Sequence, residues 1–350
     1  MLTKRRNLLY LALLIAMLVA LRVQWSRLQD PYTIQDDFRK FHWMRRLEDP
    51  ELFADDPLTS PTEVRLGEVR LYVDSTRPGY SLLFNLASPL FPPLMFNKLL
   101  IFPLLLLSVY FLFRIGEIAK DPGTGFTLAL TFIILTPLWT SATSVAAGLP
   151  RSFMAPLLLG IVYFLMINRY WAATGVALIA ATIYLPGAVL GMTTIALAAI
   201  EPAAGRWRYR IVWRRILPLV VLFLLLLLTL PIVVARLQSV WSALLNFSWS
   251  FGAILQNPNY ISGGRWPLFR DFPFQGLGAL TNNYMNLWLL IVLAPLSAAI
   301  HLLRPQAYQR FPRALKLLFL ASVILYILSW LALLLTSSLL LYFPSRYTQT

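Results

Sequence analysis

The chain has no cysteine. That excludes a disulfide framework, thiolate catalysis and any Cys-based metal site. Histidine is nearly missing too, with only His42 and His301. Loop charges put these two on opposite sides of a membrane, so a His-based metal site is not expected. No GxxxxGK[ST] and no HExxH occurs, which removes P-loop ATPases and zincins from consideration. Charge is scarce at 13% of residues, about half of what globular domains carry. Acids are the scarcest, 15 against 30 Lys and Arg, giving a net charge of +15.

What fills the chain instead is hydrocarbon: 58% of its 350 residues are hydrophobic, and mean hydropathy is +0.67. Several apolar stretches approach or exceed the ~18 residues that mark a bilayer span. The leucine runs do not alternate with polar residues, so an outer-membrane barrel is not indicated. The expectation is an all-α polytopic membrane protein with about 8–10 transmembrane or partial helices, one transmembrane domain over 1–350. In a soluble protein so basic a chain would suggest nucleic acid. Here the basic residues sit mainly in short loops between apolar segments, so they read as topology and no nucleic-acid partner is expected.

MLTKRR before NLLYLALLIAMLVAL reads as an uncleaved anchor with a cytoplasmic N-terminus. Residues 22–79 then form a large extracytoplasmic loop. Residues 80–92 read as a partial or interfacial helix and 96–118 as the returning span. Residues 126–144 go out, SVAAGLPRSF turns outside, and 152–168 come back. Residues 171–200 are too long for one span and short for two, and Tyr184-Leu185-Pro186-Gly187 predicts a break between two short helices. RWRYRIVWRR, with five arginines, belongs inside. Residues 217–235 go out, 236–285 form a second outer loop, 286–303 return and 317–341 go out again. GAVLG (187–191) has the small-xxx-small spacing of helix packing.

The acids are unevenly placed. All but Glu117, Asp121, Glu201 and Asp271 fall between Asp30 and Asp74, in the first outer loop. Within it, QDDFRKFHW sets Asp36 and Asp37 side by side. As a structural feature they are acids in the first turn of a helix, matching its dipole. As chemistry they are a general base or ligands for a divalent cation. Asp55-Asp56 precede Pro57 and read first as a turn. Arg151 lies in the outer turn against the positive-inside bias, which adds a phosphate-binding reading to the plainer one, an anchor for a helix start at the interface. Arg346 in FPSRY is placed similarly. Arg265, Trp266 and Asp271 lie in the Gly/Pro-rich second outer loop, where an aromatic ring can stack on a sugar or simply mark the interface.

A cytoplasmic N-terminus, one span and an outer loop opening with DD resemble the GT-C superfamily of membrane glycosyltransferases. The likeness extends in architecture to the many spans, to GYSLLFNLASPL and to the broken turn at Tyr184–Pro186. In residues it rests on DD, LPRSF and FPSRY. The resemblance implies transfer of a sugar from a polyprenyl-phosphate donor to a glycan or protein acceptor at the outer face of a bacterial inner membrane. It implies that Asp36 or Asp37 is the catalytic base or a metal contact, and it admits Mg²⁺ or Mn²⁺ there. Arg151, Arg346, Arg265, Trp266 and Asp271 are then the substrate-binding candidates. Members have more spans and often a soluble C-terminal domain, so the chain is expected to be a shortened member. The rival is a non-catalytic membrane protein that binds, scaffolds or translocates a lipid-linked glycan. A coupled transporter would need ionisable residues at mid-membrane, which the spans largely lack.

Overall fold

The computed structural model describes residues 2–29, 43–49, 51–52, 62–66, 69–74, 77–138, 148–202, 209–229 and 312–335. The chain divides into two compact units, Met1–Leu222 and Phe223–Thr350. In the first, α1 (Leu2–Gln29) precedes a hairpin of β1 (Thr62–Leu66) and β2 (Val69–Val73). Then come α2 (Pro78–Ala87), α3 (Pro93–Leu99), α4 (Ile101–Ala119) and α5 (Pro122–Leu138). A 3₁₀ turn over Pro150–Phe153 opens α6 (Met154–Met166), followed by α7 (Tyr170–Ile183) and α8 (Leu185–Ala198). A second small hairpin, β3 (Ile200–Pro202) and β4 (Tyr209–Ile211), leads to α9 (Trp213–Thr229), which crosses the boundary between the units. In the second unit the described part beyond α9 is mainly α10 (Arg313–Leu335).

Most of the described residues are helical, and two helical stretches are long and apolar enough to cross a membrane: Arg5–Gln29 and Pro93–Ala119. The remaining apolar helices of the first unit are shorter, at 10–17 residues. α1 has an inverted pattern. Ala12, Ala16 and Ala20, spaced four apart, are buried, while Leu11, Leu14, Leu18 and Leu21 are exposed. In water the opposite order is stable. Small residues face protein and large apolar ones face outward, which is how helices pack where the surroundings are lipid.

Strands were not expected. The cause is local: TEVRL and VRLYV place apolar residues at every second position, with only Gly67 and Glu68 between them in sequence. The pair is antiparallel, with Val64 opposite Leu71. Buried Tyr72 docks this hairpin on α2, where the Asn85 side chain accepts from the Tyr72 N–H (3.0 Å) and donates to its carbonyl (2.8 Å). The amide thus pairs with β2 as a neighbouring strand would.

Contacts between helix ends define two ends of the first unit's bundle. At one, Arg5 of α1 and Arg114 of α4 both pair with Glu117, and Arg114 lies 5.9 Å from the Tyr163 ring of α6. There α4 and α5 approach closely, since a Cβ on Gly116 would lie 2.6 Å from the Gly125 Cα. At the other end, Gln24 near the end of α1 donates to the Lys98 carbonyl (3.3 Å). These two parts of α1 are 19 residues apart by number, ~29 Å at 1.5 Å per residue. α1 and the α3–α4 stretch therefore run between the ends in opposite directions.

The predicted break is present. Tyr184 is extended (φ −148°, ψ 94°) between α7 and α8, and Pro186 lies in the first turn of α8. GAVLG forms the face of α8 against α6: a Cβ on Gly191 would meet Ile161 at 2.4 Å, and one on Gly187 would meet Met154 at 3.3 Å.

Candidate functional site

Of the residues picked from sequence, Arg151 is described. Asp36, Asp37, Arg265, Trp266, Asp271 and Arg346 lie outside the described residues. Among the described residues, no group of three or more His, Asp or Glu is placed to hold a metal ion.

Arg151 occupies the 3₁₀ turn that starts α6, half-buried. Two things fix that turn. Buried Ser152 reaches back to accept from the Leu149 N–H (3.2 Å), while its own N–H donates to the Leu149 carbonyl (2.8 Å). Pro150 sets the first φ, as proline does at helix starts. Just before it, Gly148 has φ +63°, in the left-handed region that side chains avoid. A Cβ there would also lie 2.3 Å from the Asn97 carbonyl oxygen. Both constraints demand glycine.

The Gly148 carbonyl then accepts two hydrogen bonds, from the Tyr80 hydroxyl (2.9 Å) and from Asn97 Nδ2 (2.9 Å). Both donors are buried. Tyr80 packs against Phe84 at 5.0 Å between ring centroids and edge-on to Phe153 at 6.1 Å. Burial pushes its phenol well above the usual tyrosine range, so it remains a neutral donor. Thus α2 and α3 together hold the backbone three residues before Arg151.

The residue after Asn97 is Lys98, 5% exposed. Its Nζ donates to the Arg27 carbonyl at 2.8 Å. An ammonium at the C-terminal end of α1 satisfies a carbonyl the helix leaves unpaired and meets the negative end of its dipole. A hydrogen-bonded chain therefore runs from the end of α1 through Lys98 and Asn97 to Gly148, and on by the backbone to Arg151. Of the basic side chains described at this end of the bundle, Lys98 is buried and Arg151 half-buried.

Lys98, Asn97, Tyr80 and Gly148 were not singled out from sequence. Lys98 had a signal: it is a lone basic residue before an apolar run, on the side where loop charge disfavours it, as for Arg151. The other three carried none, because their roles arise from partners 51 and 68 residues away in sequence. Trp43 and Met44, just beyond the DD segment, are buried in the same core cluster as Tyr80, Leu149 and Phe153.

No protein-family profile, curated protein or solved structure matches the chain.

Proposed function

We propose that the chain is a polytopic membrane glycosyltransferase of GT-C architecture, taking its sugar from a polyprenyl phosphate at the outer face. The membrane reading is supported by the inverted face of α1, by the two long apolar stretches and by the opposite directions of α1 and the α3–α4 stretch. Loop charge then sets the Arg5–Glu117 end inside and the Arg151 end outside.

The observation that carries the transferase reading is the fixed turn at Gly148–Ser152. It presents an arginine at the end expected to face out, on backbone locked by Tyr80 and Asn97. Arginine clamps phosphate bidentately and neutralises it when it leaves. In sequence, Asp36 is seven residues beyond Gln29, so at most ~25 Å of extended chain ties it to the end of α1. Asp36 or Asp37 would take the proton of the acceptor hydroxyl. The acceptor oxygen would then form its bond to the anomeric carbon, and the carbon–oxygen bond to the lipid phosphate would break with the electron pair leaving on phosphate. Arg346, Arg265, Trp266 and Asp271 remain candidates for the donor and acceptor sugars.

The test is donor dependence in purified protein. Arg151→Gln removes a charged hydrogen bond worth ~1.5–3 kcal/mol and is expected to weaken donor binding ten- to hundredfold. Arg151→Lys keeps charge without the fork and should fall between. Unchanged donor affinity in Arg151→Gln would remove this residue from the site. Donor binding without any transfer by wild type would favour the non-catalytic glycan binder.

A further inference from the structure

At the Arg5–Glu117 end, two turns lie together. One is the turn between α6 and α7 with the first residues of α7, Tyr170 and Trp171, and the other is the β3–β4 hairpin with the start of α9. They are joined by Arg215, whose guanidinium is 5.3 Å from the Tyr170 ring and pairs with Glu201. Arg215 also donates to the Ala198 carbonyl at 3.4 Å. It is thereby committed to holding the turns.

Around it the surface is unusual. Trp171 is 60% exposed, Tyr209 67% and Trp213 70%. Beside them in sequence stand Arg169, Arg214 and Arg210, all exposed, with the Arg210 side chain 71% open while it bonds Glu201 at 3.2 Å. Three exposed rings and three exposed guanidinium groups thus belong to the two turns that Arg215 joins. From Trp213, α9 continues with Leu217, Val220 and Leu224, at spacings of four, three and four, all exposed. Along this helix the exposed side chains pass from aromatic and cationic to purely apolar, Phe223 among them. That sequence of chemistries matches the depth profile of a bilayer, from phosphate headgroup through interface to hydrocarbon.

We infer that Arg169, Arg210 and Arg214, with Trp171, Tyr209 and Trp213, form a collar that binds anionic phospholipid headgroups. Charge complementarity selects the lipid: among the described residues Glu201 pairs with Arg210 and with Arg215, which leaves the exposed guanidinium groups of Arg169 and Arg214 without an acidic partner. Phosphatidylcholine would leave them unneutralised. A negatively charged headgroup supplies the missing charge, and the rings fill the interfacial layer beside it. The inference rests on the membrane reading but is independent of the transferase reading.

The experiment is native mass spectrometry of the full chain in detergent, offered phosphatidylglycerol or phosphatidylcholine. Retained phosphatidylglycerol is expected to exceed phosphatidylcholine for wild type. It should fall about fivefold for each arginine removed in Arg169→Gln, Arg210→Gln and Arg214→Gln, from ~1 kcal/mol per basic residue at an anionic surface. The three lysine substitutions should retain it, and Arg70→Gln, exposed on β2, should not alter it. Equal retention of both lipids by wild type would overturn the collar, as would full phosphatidylglycerol retention by the triple glutamine variant. Insertion into phosphatidylcholine vesicles, measured alongside, separates the two readings. Insertion without any anionic preference defeats the collar alone, and failure to insert in either lipid defeats the membrane reading with it.

Discussion

At the scale of single residues, the Gly148 carbonyl is the most constrained point of the candidate site. Gly148→Ala places a Cβ against Asn97 and forces a left-handed alanine, which alone costs ~1–2 kcal/mol. A lower melting temperature in detergent by at least that equivalent is expected. Tyr80→Phe removes one of two donors and should cost ~1 kcal/mol, with the ring packing kept. Equal melting temperatures for Tyr80→Phe and wild type would mean the hydroxyl does not hold the turn. Titration adds a third expectation. Hydrogen bonds from Arg210 and then Arg215 hold the Glu201 carboxyl below its usual range, and the Thr124 backbone N–H does the same for Asp121. A carboxyl depressed on folding stabilises above its unfolded pKa and loses that contribution as pH falls through its folded value. Unfolding followed from neutral to acidic pH should show the loss below the ordinary carboxylate range, and Glu201→Gln should flatten it. Arg151 was legible from sequence because it is a cation where loop charge disfavours one. Lys98 carries the same signal of position, but its burial was not legible, since a lysine beside an apolar run usually extends its amine to the interface; here the amine turns inward to the end of α1.

At the scale of elements, α1 separates two kinds of surface. Ala16 is fully buried and Leu18 is exposed. Ala16→Leu forces extra methylenes into packed space and should destabilise the protein by ~1–3 kcal/mol. Leu18→Ala should stay within about 0.5 kcal/mol in detergent. Thermal unfolding of the two variants side by side checks this, and a reversed order would mean that α1 packs through its leucine face. The break between α7 and α8 was legible because Pro186 cannot continue a helix, and GAVLG because its glycines recur every fourth residue. The hairpins were not. Strands of three to five residues in loops read first for charge leave little pattern, and β2 is paired on its other side by Asn85, whose role no local window reveals. The helical bounds also shifted, with α1 running on to Gln29 because Ala20 and Gln24 remain in contact with protein.

At the scale of the whole molecule, the chemistry of the two ends of the first unit's bundle differs. One end gathers arginines around Glu117 and Glu201, with exposed rings beside them. The other holds the locked turn of Arg151 and buried Lys98, next in sequence to a loop that contains most of the acids. The division follows from loop charge, which is why it was readable from sequence, whereas the inner ties of the site depend on contacts between distant segments. The central claim is that the acid-rich loop and the Arg151 turn act together on a lipid-linked sugar. Its most direct test is sugar transfer from polyprenyl-phosphate donors by purified protein in lipid, comparing wild type with Asp36→Asn and Asp37→Asn. Transfer by wild type that is lost in one of these variants, with folding and donor binding retained, is the expected result. Transfer that survives both substitutions would contradict the assignment of the base and move the chemistry away from this loop.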